Sequence, residues 1–204
     1  MKLHFSTLSP FARKVRICAA ELGLEEKIEL VPTHVTPGKA NTEYASRFNP
    51  LRRIPSLTLS DGSTLVDSKT ICEYLDSLDG RGQLVPKGGA RRWRVLSDYA
   101  IADGIIEVSL LLRYETALRP QAHQWPEVIA DHKDKISSAL GWFNERIETE
   151  GDRFELSQIT LACALGYLDF RFADFGWREK HPALAAWHEK VSQRASCKNT
   201  EPAD

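Results

Sequence analysis

The 204-residue chain sets 27 Lys and Arg against 28 Asp and Glu, a net charge of −1, and is 42% hydrophobic and 27% charged. At roughly 100–200 residues per domain this is one large domain or two small ones with a real core, which excludes a disordered or fibrous chain. A pI near 6.6 gives no electrostatic footprint for nucleic acid or an anionic membrane, no apolar run nears the ~18 residues of a membrane span, and the N-terminus lacks the apolar core of a signal peptide. The scattered cysteines Cys18, Cys72, Cys163 and Cys197 form no CxxC pair, so the expectation is reduced thiols in a cytoplasmic protein rather than a disulfide frame.

In chain order, Lys2 to Phe5 predicts a short strand. Ser9 and Pro10 follow as natural N-cap and first helical residue. Phe11, Val15, Cys18, Ala19 and Leu22 then recur at helical spacing up to Gly23, a natural stop. Ile28 to Pro32 predicts a second strand. Ser56–Leu59 and Ser63–Val66 flank Asp61-Gly62 as a hairpin. Asp67-Ser68 opens a helix carrying Ile71, Leu75 and Leu78, so the order is β-α-β-(irregular)-β-β-α. Residues 79–89 are punctuated by Gly and Pro, as a linker would be. Beyond them the pattern is helical over 90–118, 127–149, 157–175 and 182–194, with Pro120 and Pro126 marking a break. The expected organisation is a small α+β domain over 1–79, a linker over 80–89 and an all-α domain over 90–204.

Three features of the first domain can carry chemistry, and each has a plainer reading. Ser9 stands where backbone N–H groups and the helix dipole favour negative charge, so its hydroxyl could meet a thiolate or phosphate, or simply cap the helix. Pro55, at the entry to a strand, cannot donate to the ladder and belongs at an edge, in an unusual or cis bond, or in an ordinary turn; the strand edge beside it could pair with a peptide-like ligand. Ser68 with its N–H can hold a carboxylate and Asp67 an ammonium, the pair of charges on an amino-acid head group, unless both only cap their helix.

Together these residues resemble a family. Ser9-Pro10-Phe11-Ala12-Arg13-Lys14-Val15-Arg16, Asn49-Pro50 followed by Arg53-Ile54-Pro55, and Asp67-Ser68 leading into Ile71-Cys72-Glu73-Tyr74-Leu75 are similar to the glutathione S-transferases. Ala102-Asp103-Gly104, Arg119-Pro120, Leu165 to Arg171, Pro182 to Trp187 and Arg194 to Pro202 look like its bacterial members. The resemblance implies a thioredoxin-like first domain, β-α-β-α-β-β-α, that binds glutathione, and a helical second domain that supplies the wall for an electrophile. It implies that Ser9 stabilises the glutathione thiolate, that Ile54 pairs its backbone with the cysteinyl unit beside a cis Pro55, and that Asp67 and Ser68 hold the γ-glutamyl end. Arg53 would meet the glycyl carboxylate, with Arg52 as its rival, and Ser6 or Thr7 are the alternatives to Ser9. A serine cannot form a mixed disulfide with glutathione, which disfavours thiol–disulfide chemistry.

The electrophile site is less defined. Leu8, Phe11, Ile106, Glu107, Leu110 and Tyr114 could line a pocket, since Glu107, Leu110 and Tyr114 share a helix face, or that face could be plain packing between domains. The family's usual Ser/Thr-x-x-Asp capping motif stands here as Ser157-Gln158-Ile159-Thr160, without a carboxylate to reach back, which predicts a weaker helix start. His4, His34, His123, His132, His181 and His188 share no metal-ligand spacing, so no metal is expected. Cys18, Cys72 and Cys163 read as core residues and Cys197 as an exposed, oxidisable thiol of the polar tail. The reading is a homodimeric glutathione transferase acting on small apolar electrophiles. The alternatives are a non-catalytic or weakly active binding or regulatory protein of the same fold, and a glutathione-dependent isomerase.

Overall fold

A computed structural model describes residues 1–78, 81–147, 151 and 153–203. They form two compact units, Met1–Arg92 together with Ala195–Asp204, and Trp93–Arg194.

The first unit is built on a mixed sheet in the order β2-β1-β3-β4. Strands β1 (Lys2–Phe5) and β2 (Glu29–Pro32) run parallel, and β3 (Ser56–Thr58) runs antiparallel to both β1 and β4 (Thr64–Leu65). Successive side chains of a strand point to opposite faces. On one face Phe5 lies under the guanidinium of Arg16, 5.3 Å from the ring centre, from helix α1 (Pro10–Glu21). On the other, His4 stacks on Phe48 at 4.0 Å and edge-on to Tyr44 at 5.5 Å, where helix α2 (Thr42–Arg47) occupies the stretch read as irregular. Helix α3 (Ser68–Ser77) packs against α1 and β3, and Leu3, Val15, Cys18, Leu57, Ile71 and Leu75 form the core between them. This is the thioredoxin-like domain of the expected fold.

The local signals act as read. Ser9 caps α1, Pro10 is its first residue, and Gly23 stops it at φ +66°, where a Cβ would be strained. Asp61-Gly62 turns the hairpin, with Gly62 at φ +86° and the Asp61 carboxylate accepting from Ser63 N at 2.9 Å. One feature carried no signal. Asp76, buried in the last turn of α3, accepts from the backbone N–H groups of Gln83, Leu84 and Val85 at 2.8, 3.0 and 2.9 Å.

The second unit is all helical. Helix α4 (Gly89–Arg113) ends five residues earlier than the 90–118 expected, in a wide turn over Tyr114–Leu118. The Glu115 carboxylate accounts for this break: it accepts from Trp125 N at 2.8 Å and Arg119 Nε at 2.7 Å, and folds the chain back toward α5 (Pro126–Asn144). Residues 148–150, where that helix was expected to end, lie outside the described residues. Helix α6 (Leu156–Arg171) is buried on every side from Leu156 to Leu165 rather than along one stripe, as a central helix must be. Its start corrects the expectation of a weak cap at Ser157. The N-cap is Glu155, and the Gln158 side chain reaches back to accept from Glu155 N at 3.1 Å, a reciprocal capping box in which an amide replaces the missing carboxylate. Thr160, fully buried, turns its hydroxyl to Leu156 O at 2.7 Å. Helix α7 (Trp177–Lys180) is tied to α6 by Trp177 Nε1 donating to Asp169 at 2.9 Å, and α8 (Pro182–Ser192) packs on α5, α6 and α7. Among the described residues no helix is long and apolar enough to cross a membrane.

Helix α9 (Ala195–Lys198) belongs to the first unit. It corrects the reading of Cys197 as exposed: the residue is 1% accessible. A polar stretch of sequence buries its thiol because α9 lies along α1, with Arg13 and Arg16 donating to the Cys197 and Asn199 carbonyls. Cys18, Cys72 and Cys163 are buried, and none of the four cysteines is in a disulfide.

Candidate functional site

The strand register gathers the three features of the sequence at one end of the sheet. His4 pairs with Ser56 across β1 and β3, so one step further Phe5 and the Ser6–Ser9 turn come beside Pro55 and Ile54. Leu57 pairs with Leu65 across β3 and β4, so two steps further Asp67 comes beside Pro55. The N-termini of α1 and α3 both open at this end, where their dipoles favour negative charge.

Each feature has its own support. The Ser9 Oγ accepts from Ala12 N at 3.2 Å and so keeps its own proton to donate. The Ser6–Ser9 turn is closed by Ser9 N donating to Ser6 O at 3.1 Å and Leu8 N to Ser6 Oγ at 3.2 Å. Thr7 directs its hydroxyl proton to Ala203 O at 3.0 Å. The Ile54–Pro55 bond is cis, and so is Val66–Asp67. Ile54 is half-buried and Pro55 buried. The loop ahead of them is held by hydrogen bonds from Tyr44 and Asn49. The Arg53 carbonyl accepts from Tyr44 Oη and from Asn49 Nδ2, both at 2.9 Å, and Tyr44 Oη also lies 2.9 Å from Ser56 Oγ. Burial pushes the Tyr44 hydroxyl up from its ordinary range, and its bond to Ser56 offsets part of that. Asn49 was visible in the Asn-Pro motif, whereas Tyr44 sits in a stretch that carried no pattern. The Arg53 and Arg52 side chains are exposed, and Arg52 takes φ +53°. At the third feature Asp67 is exposed and accepts from Lys69 N at 2.7 Å as the N-cap of α3. Ser68 is 3% accessible and its Oγ has no hydrogen-bond partner.

His4 anchors the far side of this corner. Thr33 spends its hydroxyl proton on Val31 O at 3.0 Å, so it accepts from His4 Nδ1 at 3.1 Å and fixes that tautomer. Burial, then the charges of Arg47 and Lys2, hold the imidazole below its usual 6.5. The unfolded chain therefore takes up this proton first: the stabilisation is complete above 6.5 and is lost as the pH falls through the interval down to the folded value. His181 is lowered in the same direction by burial and Lys180. The midpoint of thermal unfolding should fall as the pH drops from about 7.5 to 5, with a shallower slope in His4→Phe, which keeps a ring against Phe48. Equal slopes in the two proteins would exclude His4 as a source.

Residues 8–78 match the N-terminal domain of glutathione S-transferases and residues 126–190 their C-terminal domain. The uncharacterized GST-like protein YibF of Escherichia coli (strain K12) is 33% identical over 99% of this chain and 98% of its own length. The chain belongs to the glutathione S-transferase family. A crystal structure of a glutathione transferase family member from Pseudomonas fluorescens Pf-5 with bound glutathione is 39% identical, covers 100% of this chain and 99% of its own, and superposes with a TM-score of 0.96. A glutathione S-transferase from Methylobacillus flagellatus KT, with glutathione bound, is 33% identical over 99% of each chain with a TM-score of 0.87.

Both of these solved relatives hold glutathione, and the end of the sheet described above is where the first unit of this chain presents the N-termini of α1 and α3. The residues named for the electrophile are divided between the units. Leu8 and Phe11 lie in the first, Leu8 exposed and Phe11 half-buried, with Lys14 Nζ 5.6 Å from the Phe11 ring. Ile106, Glu107, Leu110 and Tyr114 lie in the second: Ile106 is buried, Leu110 and Tyr114 half-buried and Glu107 exposed.

Proposed function

We propose that this chain is a transferase that adds the thiolate of glutathione to small apolar electrophiles. The observation that carries the reading is the Ser68 hydroxyl: buried, without a partner, at the N-terminus of α3 and next to the Asp67 carboxylate. A buried unsatisfied hydroxyl costs about 1–3 kcal/mol, and a ligand carboxylate held there would recover it. Ser68, through its hydroxyl and its own backbone N–H, then takes the γ-glutamyl carboxylate, and Asp67, through the oxygen that does not cap α3, its ammonium. Ile54 pairs its backbone with the cysteinyl unit beside cis Pro55, and Arg53 meets the glycyl carboxylate. The thiol comes to the N-terminus of α1, where the dipole and the free Ser9 proton lower its pKa from about 8.5 and raise the thiolate fraction at neutral pH. Thiolate formation and the pairing of two reactants in one site supply the acceleration. Leu8 and Phe11, close to Ser9 in the sequence, are the residues of the first unit assigned to the electrophile. Glutathione bound to the relative from Pseudomonas fluorescens Pf-5 supports the ligand class.

The test is calorimetric titration with reduced glutathione. Wild type should bind, and Ser68→Ala should bind about tenfold more weakly, the loss of one hydrogen bond to a charged group. Unchanged affinity in Ser68→Ala would remove the observation on which the assignment stands. Binding with no turnover of any electrophile in a broad panel would instead favour a binding protein of the same fold. The reading includes a homodimer. It is supported by Trp93 and Leu111, 69% and 50% accessible, which stand about five turns apart on the same face of α4. Sedimentation equilibrium decides the oligomeric state.

A further inference from the structure

We propose that residues 195–203 position the hydroxyl that serves the glutathione thiol, acting through Thr7; this rests on the transferase reading above. The segment runs along α1 from its C-terminal end to beyond its N-terminus. Ser196 donates to Glu21 in the last turn of α1. Arg16 Nη2 donates to Asn199 O at 3.0 Å and Arg13 Nη2 to Cys197 O at 3.3 Å, so the guanidinium groups bind the backbone of the segment. Ser196, Cys197 and Thr200 are 6%, 1% and 4% accessible. The Thr200 hydroxyl turns back to Ser196 O at 2.7 Å and finishes α9. Beyond it the chain reaches the Ser6–Ser9 turn, where Ala203 O accepts from Thr7 Oγ1 at 3.0 Å.

That last bond has two consequences. A threonine hydroxyl carries one proton, and here it is directed to Ala203, so Thr7 is a positioning residue rather than a donor to sulfur. The turn that carries Ser9 has two internal hydrogen bonds, both ending on Ser6, and Thr7 and Leu8 are exposed. The contact from Ala203 adds a restraint from outside the turn, two residues from Ser9. A displacement of about 1 Å in a reacting arrangement can cost on the order of 10²-fold in rate. Loosening this turn should lower turnover while leaving Arg53, Ile54, Asp67 and Ser68 in place to bind glutathione.

Three variants test it: Thr7→Val, which removes the donor at constant shape; Thr7→Ser, which keeps it; and a chain stopped after Thr200, which removes Ala203 and leaves the cap of α9 intact. Steady-state kinetics and ultraviolet titration of the bound thiol are the readouts. Thr7→Val and the shortened chain should each lose about tenfold in kcat with the glutathione KM within about twofold, and the bound thiol should titrate at higher pH. Thr7→Ser should restore both. Wild-type kcat and thiol titration in a folded Thr7→Val, with Ser9→Ala still impaired, would overturn the positioning role and leave the transferase reading standing. A wild-type protein that binds no glutathione would overturn both.

Discussion

Replacing Ser9 with alanine is expected to lower kcat/KM for conjugation by about 10- to 100-fold, the worth of a hydrogen bond to a charged atom at about 1.5–3 kcal/mol. The Ser9 Oγ accepts from Ala12 N and retains its own proton, which is what a thiolate requires of a neighbour. Removing it raises the pKa of the bound thiol, so the loss should be largest near neutral pH and shrink as the pH rises and glutathione ionises unaided. Affinity for reduced glutathione, measured well below that pKa, should change little. The substitution also removes a helix cap, at about 1 kcal/mol of stability, so the kinetics belong well below the melting transition. A mutant with full activity at neutral pH would transfer the role to Ser6, whose hydroxyl proton is also uncommitted when it accepts from Leu8 N.

The largest effect on stability is expected at Asp76. Its carboxylate gathers three backbone N–H groups, and two of the donors, Leu84 and Val85, are 3% and 5% accessible. Water can satisfy the exposed Gln83 N–H when the carboxylate is lost but cannot reach the other two. Each buried orphan costs about 1–3 kcal/mol, so Asp76→Ala should destabilise by about 2–6 kcal/mol. Asp76→Asn should fall between the two. Its single carbonyl oxygen can serve Gln83 and Leu84 as Oδ1 does now, but its NH2 would then face the Val85 donor. Urea unfolding followed by circular dichroism checks both. A change below about 0.5 kcal/mol in Asp76→Ala, the range of an ordinary surface substitution, would show that the loop finds other acceptors.

What could be read from the sequence was whatever the chain determines over a few residues. Ser9, Pro10 and Gly23 punctuate α1, Asp61-Gly62 makes its own turn, and Asp67 caps α3, because each acts on backbone groups within three residues. The motif order identified the family for the same reason. What could not be read depends on partners distant in sequence or on unusual chemistry for a familiar role. Cys197 sits in a polar stretch, yet its burial is set by Arg13, 184 positions away. The cap of α6 uses Glu155 and Gln158 in place of the family's Ser/Thr-x-x-Asp pattern. Asp76 resembles any acidic residue near a helix end, and the early end of α4 follows from Glu115 reaching Trp125. Within the candidate site, Ser9 and Asp67-Ser68 were legible because helix N-termini have composition rules. The Tyr44–Asn49–Ser56 bracing of the Ile54 loop was not, since it joins α2, the loop and β3 only once the sheet has formed.

The discontinuity of the first unit bears on how the protein is made. A ribosome delivers residues 1–92 long before residues 195–203, and all of Trp93–Arg194 must emerge in between. Until then the guanidinium groups of Arg13 and Arg16 and the hydroxyl of Thr7 lack the carbonyls they later bind, so the nascent sheet and its helices wait in an unfinished state. With Thr7 setting Ser9 through Ala203, such a nascent domain holds glutathione before it can activate it, and competence follows only once residues 195–203 have emerged.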